Sequence, residues 1–395
     1  MSKESLGIYV HIPFCVKKCN YCDFNSGVFS DFVKTDYVNA LLRDIESKAS
    51  LFNDYIVDTI FIGGGTPSVL PSKEIGRILE CLRSFYSFSN DCEISTEANP
   101  GTVNIDKLKD YKVFGINRIS FGLQSVVDEE LAILGRIHKF DDFKKCFEEA
   151  RLARFENINV DLMSAIPNQT LETYKKGLNV IKELNPEHIS AYSLIIEEGT
   201  PFYDMDLNLP NEETEREMVH LIPKILGDEY HQYEISNYAK KGFECKHNIK
   251  YWERKPYLGF GISAAGMIND FIKDESKNIS FDLRYKNTAD IYKYINNSFS
   301  GDDLYKDDND IFEEYELLDV DEKISEYLML GLRMNKGVTT SDFIKLFSKN
   351  LLDEYKEVIN KHVSEGLLEC DSERIKLTQK GRDLCNYVLV DFVNN

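Results

Sequence analysis

The sequence predicts an α/β chain: a partial (β/α)6 TIM-like barrel followed by a small C-terminal helical domain of winged-helix character. Six short β-like runs alternate with amphipathic helical runs through the first two hundred residues, a rhythm that calls for a parallel sheet. Right-handed crossovers curl such a sheet into a barrel, and six units fall short of the eight that close one. Polar, glycine-rich or cysteine-rich segments end nearly every strand, as at the carboxyl rim of barrel enzymes, which favours the barrel over a flat doubly wound sheet.

Taken in order, Ile8-Tyr-Val-His-Ile12 reads as the first buried strand, and Pro13 and Phe14 leave it at its carboxyl end. Tyr37, Val38, Leu41, Leu42, Ile45 and Ala49 then recur at helical spacing. Residues 58–62 form a second strand that breaks into Gly63-Gly-Gly-Thr-Pro67, with a helix through Ile75, Ile78, Leu79 and Leu82. The pattern repeats with strands at 93–97, 119–124, 158–163 and 188–195, and with helices around Leu108 and over 128–134, 140–155 and 171–184. A further amphipathic helix covers 211–226, residues 230–238 alternate like a strand, and small residues crowd 259–266. The acidic stretch 302–310 reads as a linker, which divides the chain into 1–305 and 306–395. The second part reads as helices, a small hairpin near Leu367 and Ile375, and a last helix.

With 395 residues and 43% hydrophobic content the chain can bury a full core. A net charge of -20 argues against a broad phosphate-binding face, since nucleic-acid affinity rests largely on Lys and Arg neutralising phosphates, so no nucleic-acid partner is expected. No apolar run approaches the ~20 residues of a spanning helix, which leaves at most peripheral membrane contact. The start, Met1 to Ser5, passes almost at once into the first strand without a signal-like segment, and export is not expected. Of nine cysteines, Cys81, Cys92, Cys146, Cys245, Cys370 and Cys385 are scattered without pairing signatures, as in a reducing cytoplasm.

The other three, Cys15, Cys19 and Cys22, share one loop at the end of the first strand. Thiolates select zinc or iron-sulfur clusters, and a structural zinc wants four protein ligands. Three cysteines without a second pair suit a cubane cluster with one iron open to a small molecule; structural zinc and three plain buried thiols are the alternatives. Tyr21 inside the loop can stack on a ring or cover the cluster. Gly63, Gly64 and Gly65 let backbone approach a ligand or simply turn the chain. Glu97 at its strand end can accept hydrogen bonds from an ammonium or a ribose, or serve as a cap. Gln124, Arg136 and Asp161 stand at or just past later strand ends. His247, in His247-Asn-Ile-Lys-Tyr-Trp252, offers an imidazole for iron, although a lone histidine is more often structural.

The Cys-x-x-x-Cys-x-x-Cys spacing resembles that of the radical S-adenosylmethionine (SAM) enzymes, and His11-Ile-Pro-Phe-Cys15 resembles the branch holding the oxygen-independent coproporphyrinogen oxidases and the related haem chaperones. The resemblance covers most of the first two hundred residues. It implies a [4Fe-4S] cluster on Cys15, Cys19 and Cys22 and one-electron cleavage of SAM to methionine and a 5′-deoxyadenosyl radical. It also implies contacts of Tyr9, Gly64 and Glu97 to the cluster-bound SAM, and of Gly65, Thr66, Gln124, Arg136 and Asp161 to a second SAM. The oxidases resemble a longer motif with a fourth cysteine, where this sequence has Phe24, and they carry a longer N-terminal arm. Cys22-Asp-Phe-Asn-Ser26 and His247–Trp252 instead resemble the chaperones, which implies haem as a bound partner with His247 as its ligand, an acceptor protein, and a reductant such as flavodoxin or ferredoxin. Two classes of function stay open: a cytoplasmic haem carrier of porphyrin metabolism, and an oxidase that decarboxylates coproporphyrinogen III to protoporphyrinogen IX.

Overall fold

The computed structural model describes residues 3–274, 279–306 and 310–393. Met1, Ser2 and part of the expected 302–310 linker lie outside these residues.

The barrel strands are β1 (Glu4–Ile12), β2 (Tyr55–Gly64), β3 (Phe88–Ala98), β4 (Arg118–Gln124), β5 (Ile158–Ser164) and β6 (His188–Ser193). Between them run the helices α1 (Asp31–Lys48), α2 (Ser72–Phe85), α3 (Ile105–Val113), α4 (Asp128–Ile133), α5 (Phe140–Leu152) and α6 (Leu171–Leu184). Each of these strands pairs in parallel with the next. The expected barrel of six βα units is therefore present.

Beyond it the chain continues as α7 (Glu212–Leu226), β7 (His231–Gln232), β8 (Asn237–Ala239), α8 (Lys246–Trp252), β9 (Tyr257–Phe260), β10 (Ala265–Asp274), β11 (Ile279–Asn287), α9 (Ile291–Asn296) and β12 (Phe312–Leu318). The 12-stranded sheet runs β12-β11-β10-β9-β1-β2-β3-β4-β5-β6-β8-β7 and stays open. Its two ends differ from the sequence reading. The single alternating strand expected at 230–238 is split into β7 and β8, which pair antiparallel, and β8 extends the sheet beside β6. The small-residue run yields β9, a seventh parallel strand beside β1. Glycine at position 259 allows this, because a Cβ there would drive into the Ala265 carbonyl. Phe312–Leu318, past the expected division at 305, still pairs with β11.

Alternation along the barrel strands separates two faces. Leu6, Ile8, Val10, Ile60, Ile62, Ile119, Phe121, Val160 and Ile189 are buried with the apolar stripes of α1 and α2 in one continuous core. In α2 those are Ile75, Ile78, Leu79 and Leu82, each fully buried and each contributing about 1.5–3 kcal/mol by area. The intervening positions are polar: Thr59, Glu93, Ser95, Arg118, Ser120, Asn159 and His188 are buried. Many of them bond across strands, as Asn159 Nδ2 does to Ser120 Oγ at 2.7 Å and as the His188 ring does with Asn159 Oδ1 at 2.6 Å and Tyr233 Oη at 2.7 Å.

A separate apolar cluster, from Ile324 to Phe392, forms the C-terminal domain. It comprises α10 (Val320–Gly331), β13 (Val338–Thr339), α11 (Thr340–Phe347), α12 (Leu351–Glu354), α13 (Lys356–Ser364), β14 (Leu368–Cys370), β15 (Arg374–Leu377), α14 (Gln379–Asp383) and α15 (Cys385–Val393). The expected hairpin is β14–β15, and β13 joins it as a third strand. Among the described residues no helix is long and apolar enough to cross a membrane.

Candidate functional site

The cysteine loop hangs between β1 and α1. Pro13 ends the strand ladder, and Gly27 closes the neck of the loop: its N–H donates to Pro13 O at 2.9 Å and its carbonyl accepts from Cys15 N at 2.8 Å. Farther out, the Asn20 N–H donates to Leu134 O at 3.0 Å and its side chain to Ile133 O at 2.9 Å, which pins the loop to the end of α4. Tyr21 packs beside Leu134, Met163 and Phe202.

The glycine segment after β2 is hung from the same stem: Gly65 N donates to Ile12 O at 2.9 Å and Thr66 N to Phe14 O at 2.8 Å. Gly64 has φ +109, and a Cβ on it would enter the His11 ring, so the position requires glycine. Its N–H donates to Glu97 Oε2 at 3.0 Å.

Cys15, Cys19 and Cys22 wall one cavity of ≈ 430 Å³ together with Tyr21, Gly64, Gly65 and Thr66. Glu97, Gln124, Arg136 and Asp161 also line it. Tyr9 stands below, in an adjoining cavity of ≈ 280 Å³ that shares Gly64, Glu97 and Asp161 with the first. Thr66 Oγ1 donates to Cys15 Sγ at 3.7 Å, and Arg136 Nη1 to Cys19 Sγ at 3.5 Å. Burial pushes the Cys22 thiol up, and Cys19 and Cys15 push the same way. Among the described residues no three His, Cys, Asp or Glu side chains are grouped to clasp one ion. A zinc at about 2.3 Å from every sulfur needs such a grouping. A cluster spreads its cysteines over different irons, and three thiols around one open cavity are compatible with that arrangement.

Burial, and next the charge of Asp161, push the Glu97 carboxyl up to about 8. Burial also raises Asp161, although its carboxylate accepts from Asn159 Nδ2 at 2.7 Å. Gln124 ends β4 with φ 72, an uncommon conformation for a side-chain-bearing residue, and its Oε1 accepts from Tyr192 Oη at 2.8 Å. Tyr9 Oη pairs with His11 Nδ1 at 2.9 Å.

His247 is placed elsewhere. It is 0% exposed and is absent from the walls of both cavities. Nδ1 pairs with Thr59 Oγ1 at 2.9 Å, Nε2 with Tyr251 Oη at 2.7 Å, and the ring stacks on Phe61. Burial, and then Lys250, bring its pKa down to about 3, which keeps the imidazole neutral. Helical spacing puts His247 and Tyr251 on one face of α8 and turns Asn248 and Trp252 towards the cavities.

The Radical SAM superfamily model matches residues 9–181, and the HemN C-terminal domain model matches residues 318–384. Heme chaperone HemW of Bacillus subtilis is 35% identical over 98% of this chain and 98% of its own. That of Buchnera aphidicola subsp. Schizaphis graminum is 36% identical, again over 98% of both chains. This chain belongs to the HemW family of radical SAM proteins. The HemW of Escherichia coli is 41% identical over 67% of this chain and 70% of its own. Among solved structures, the coproporphyrinogen III oxidase (HemN) of Escherichia coli shares the fold, with a TM-score of 0.82 at 24% identity over 99% of this chain and 91% of that one.

Several residues that wall the site were not singled out by the sequence reading. Asn99 bridges Thr66 and Arg136, with contacts of 2.8 and 2.9 Å. Ser120, Ser190 and Tyr192 line the main cavity, and Arg118, Asn159 and Asn248 line the lower one. A signal for the strand residues was present: in β4 and β6 polar or small residues occupy every second position, Arg118, Ser120, Gly122, Gln124 and His188, Ser190, Tyr192. Asn99 and Asn248 carry no such mark.

Proposed function

We propose that the chain is a haem chaperone, which binds haem and passes it to an acceptor protein, and that it holds a SAM-binding [4Fe-4S] cluster in the barrel mouth. The observation that carries the reading is the end-to-end similarity to proteins named heme chaperone HemW, over 98% of both chains. When bound, the cluster and SAM supply one-electron reductive chemistry, for which a small reductant such as flavodoxin or ferredoxin is the donor class, in the cytoplasm.

The chain's own groups set the site. Cys15, Cys19 and Cys22 hold the cluster, and Arg136, bonded to Cys19 Sγ, offsets thiolate charge. Gly64 and Glu97 form a paired N–H and carboxyl that orient a zwitterionic ligand end. Gly65, Thr66, Gln124 and Asp161 supply a further polar set on the same cavity wall. Tyr21 closes one side against water. For haem, the α8 segment offers Trp252 at the cavity wall. His247 ligates iron only after leaving Thr59 and Tyr251.

The oxidase reading requires the same cluster, but Phe24, 58% exposed at the cavity wall, stands where the oxidases have their fourth cysteine. The test is to reconstitute the cluster anaerobically and offer haem and coproporphyrinogen III separately. Stoichiometric haem binding without decarboxylation is expected. Repeated turnover to protoporphyrinogen IX reverses the assignment.

A further inference from the structure

The floor of the barrel holds a cation that, among the described residues, no group neutralises by contact. Arg118 opens β4 and is 2% exposed. Its Nε has no hydrogen-bond partner, and among the described residues no ion pair or hydrogen bond reaches its guanidinium. The neighbouring carboxylates are committed elsewhere. Glu93 accepts the N–H groups of Lys246 and His247 at 3.1 and 3.2 Å, and so anchors the start of α8. Asp161 accepts from Asn159 at 2.7 Å, and Glu97 from Gly64 at 3.0 Å.

A guanidinium offers five donors in a planar fork, and Glu93 and Asp161 act on it only through space, so burying it with those donors unused is costly. Arg118 instead faces the lower cavity of ≈ 280 Å³ beside Tyr9, Phe61, Ser120 and Asn248. That cavity opens upward into the one lined by cysteines, with Glu97, Ser120 and Asp161 common to both.

We propose that Arg118 anchors a carboxylate subsite at the barrel floor, taking through its fork the carboxylate of a ligand that enters from the mouth. A monoanion fits better than a phosphate, because a single guanidinium is available and Glu93, Glu97 and Asp161 surround it. The stretch from Arg118 to Gln124 spans roughly 20 Å at strand rise, so a SAM whose methionyl end sits at the thiols does not also place that carboxylate on the floor. Two sources of the group remain within the function proposed above: the methionyl carboxylate of a further SAM molecule, and a propionate of haem. The subsite rests on that proposal only for the identity of its ligand.

The experiment uses the cluster-reconstituted full chain, as wild type, Arg118→Gln and Arg118→Lys. Affinities are measured for two matched pairs, SAM with decarboxylated SAM and haem with haem dimethyl ester. In one pair, Arg118→Gln is expected to bind the carboxylate-bearing member about 10- to 100-fold more weakly while leaving its carboxylate-free partner unchanged, and Arg118→Lys to fall between. The pair that responds names the source. If neither pair responds, or if both members of each pair weaken equally, the proposal is overturned; should the Gln variant not fold, the Lys variant carries the same comparison. If wild type binds no haem at all, the chaperone reading fails while the SAM pair still decides the role of Arg118.

Discussion

Glu97 makes the affinity for a cationic ligand depend on pH in a definite direction. In the ligand-free protein burial, and next the charge of Asp161, push its carboxyl from the ordinary 4.5 up to about 8. An ammonium group seated against it, such as that of SAM, favours the carboxylate and expels the proton. Between these two values binding therefore releases up to about one proton, and affinity rises by about tenfold per pH unit well below 8, or ~50-fold from about pH 6 to 8. Isothermal titration of SAM into the cluster-loaded protein, in buffers of different ionisation heat, reads both the affinity and the proton. Glu97→Gln should flatten the pH dependence and remove the proton release. Affinity that is flat or falls as pH rises over this range, or proton release that survives in Glu97→Gln, refutes the reasoning.

Further outcomes follow from other buried groups. His247→Ala removes a fully buried ring with two hydrogen bonds and is expected to cost about 2–4 kcal/mol in urea denaturation, whatever it does to haem binding. His247, lowered to about 3, and His188, lowered well below 6.5, are held neutral by burial. The unfolded chain binds the extra protons, so their contribution to stability is present above about pH 6.5 and is lost as pH falls below it; urea midpoints from about pH 7 to 5 should fall. Cys19→Ser should lose iron and the cluster absorption after anaerobic reconstitution, whereas Cys245→Ser, at a fully buried thiol away from the cavity, should keep both. Gly64→Ala places a Cβ in the His11 ring at φ +109 and should lower stability by about 1–3 kcal/mol and weaken SAM binding, as calorimetry and titration would show.

By itself the sequence determined the barrel strands and the groups at their carboxyl ends, because both are written in local chemistry. Apolar alternation marks each strand, and Pro13, the glycines at 63–65 and the cysteine spacing mark where the strands end. The alternate polar positions of β4 and β6 were also on the page, but alternation leaves undecided which face is the inside. Only the tertiary structure decided that. It wrapped the apolar face in helices and turned the polar face inward, which left Arg118 buried with, among the described residues, no hydrogen bond or ion pair to its guanidinium. It also brought β9 beside β1, and it packed His247 against Thr59, 188 positions earlier in the chain. Such pairings depend on closing long loops and on the volume left by other elements, and no window of neighbouring residues carries that information.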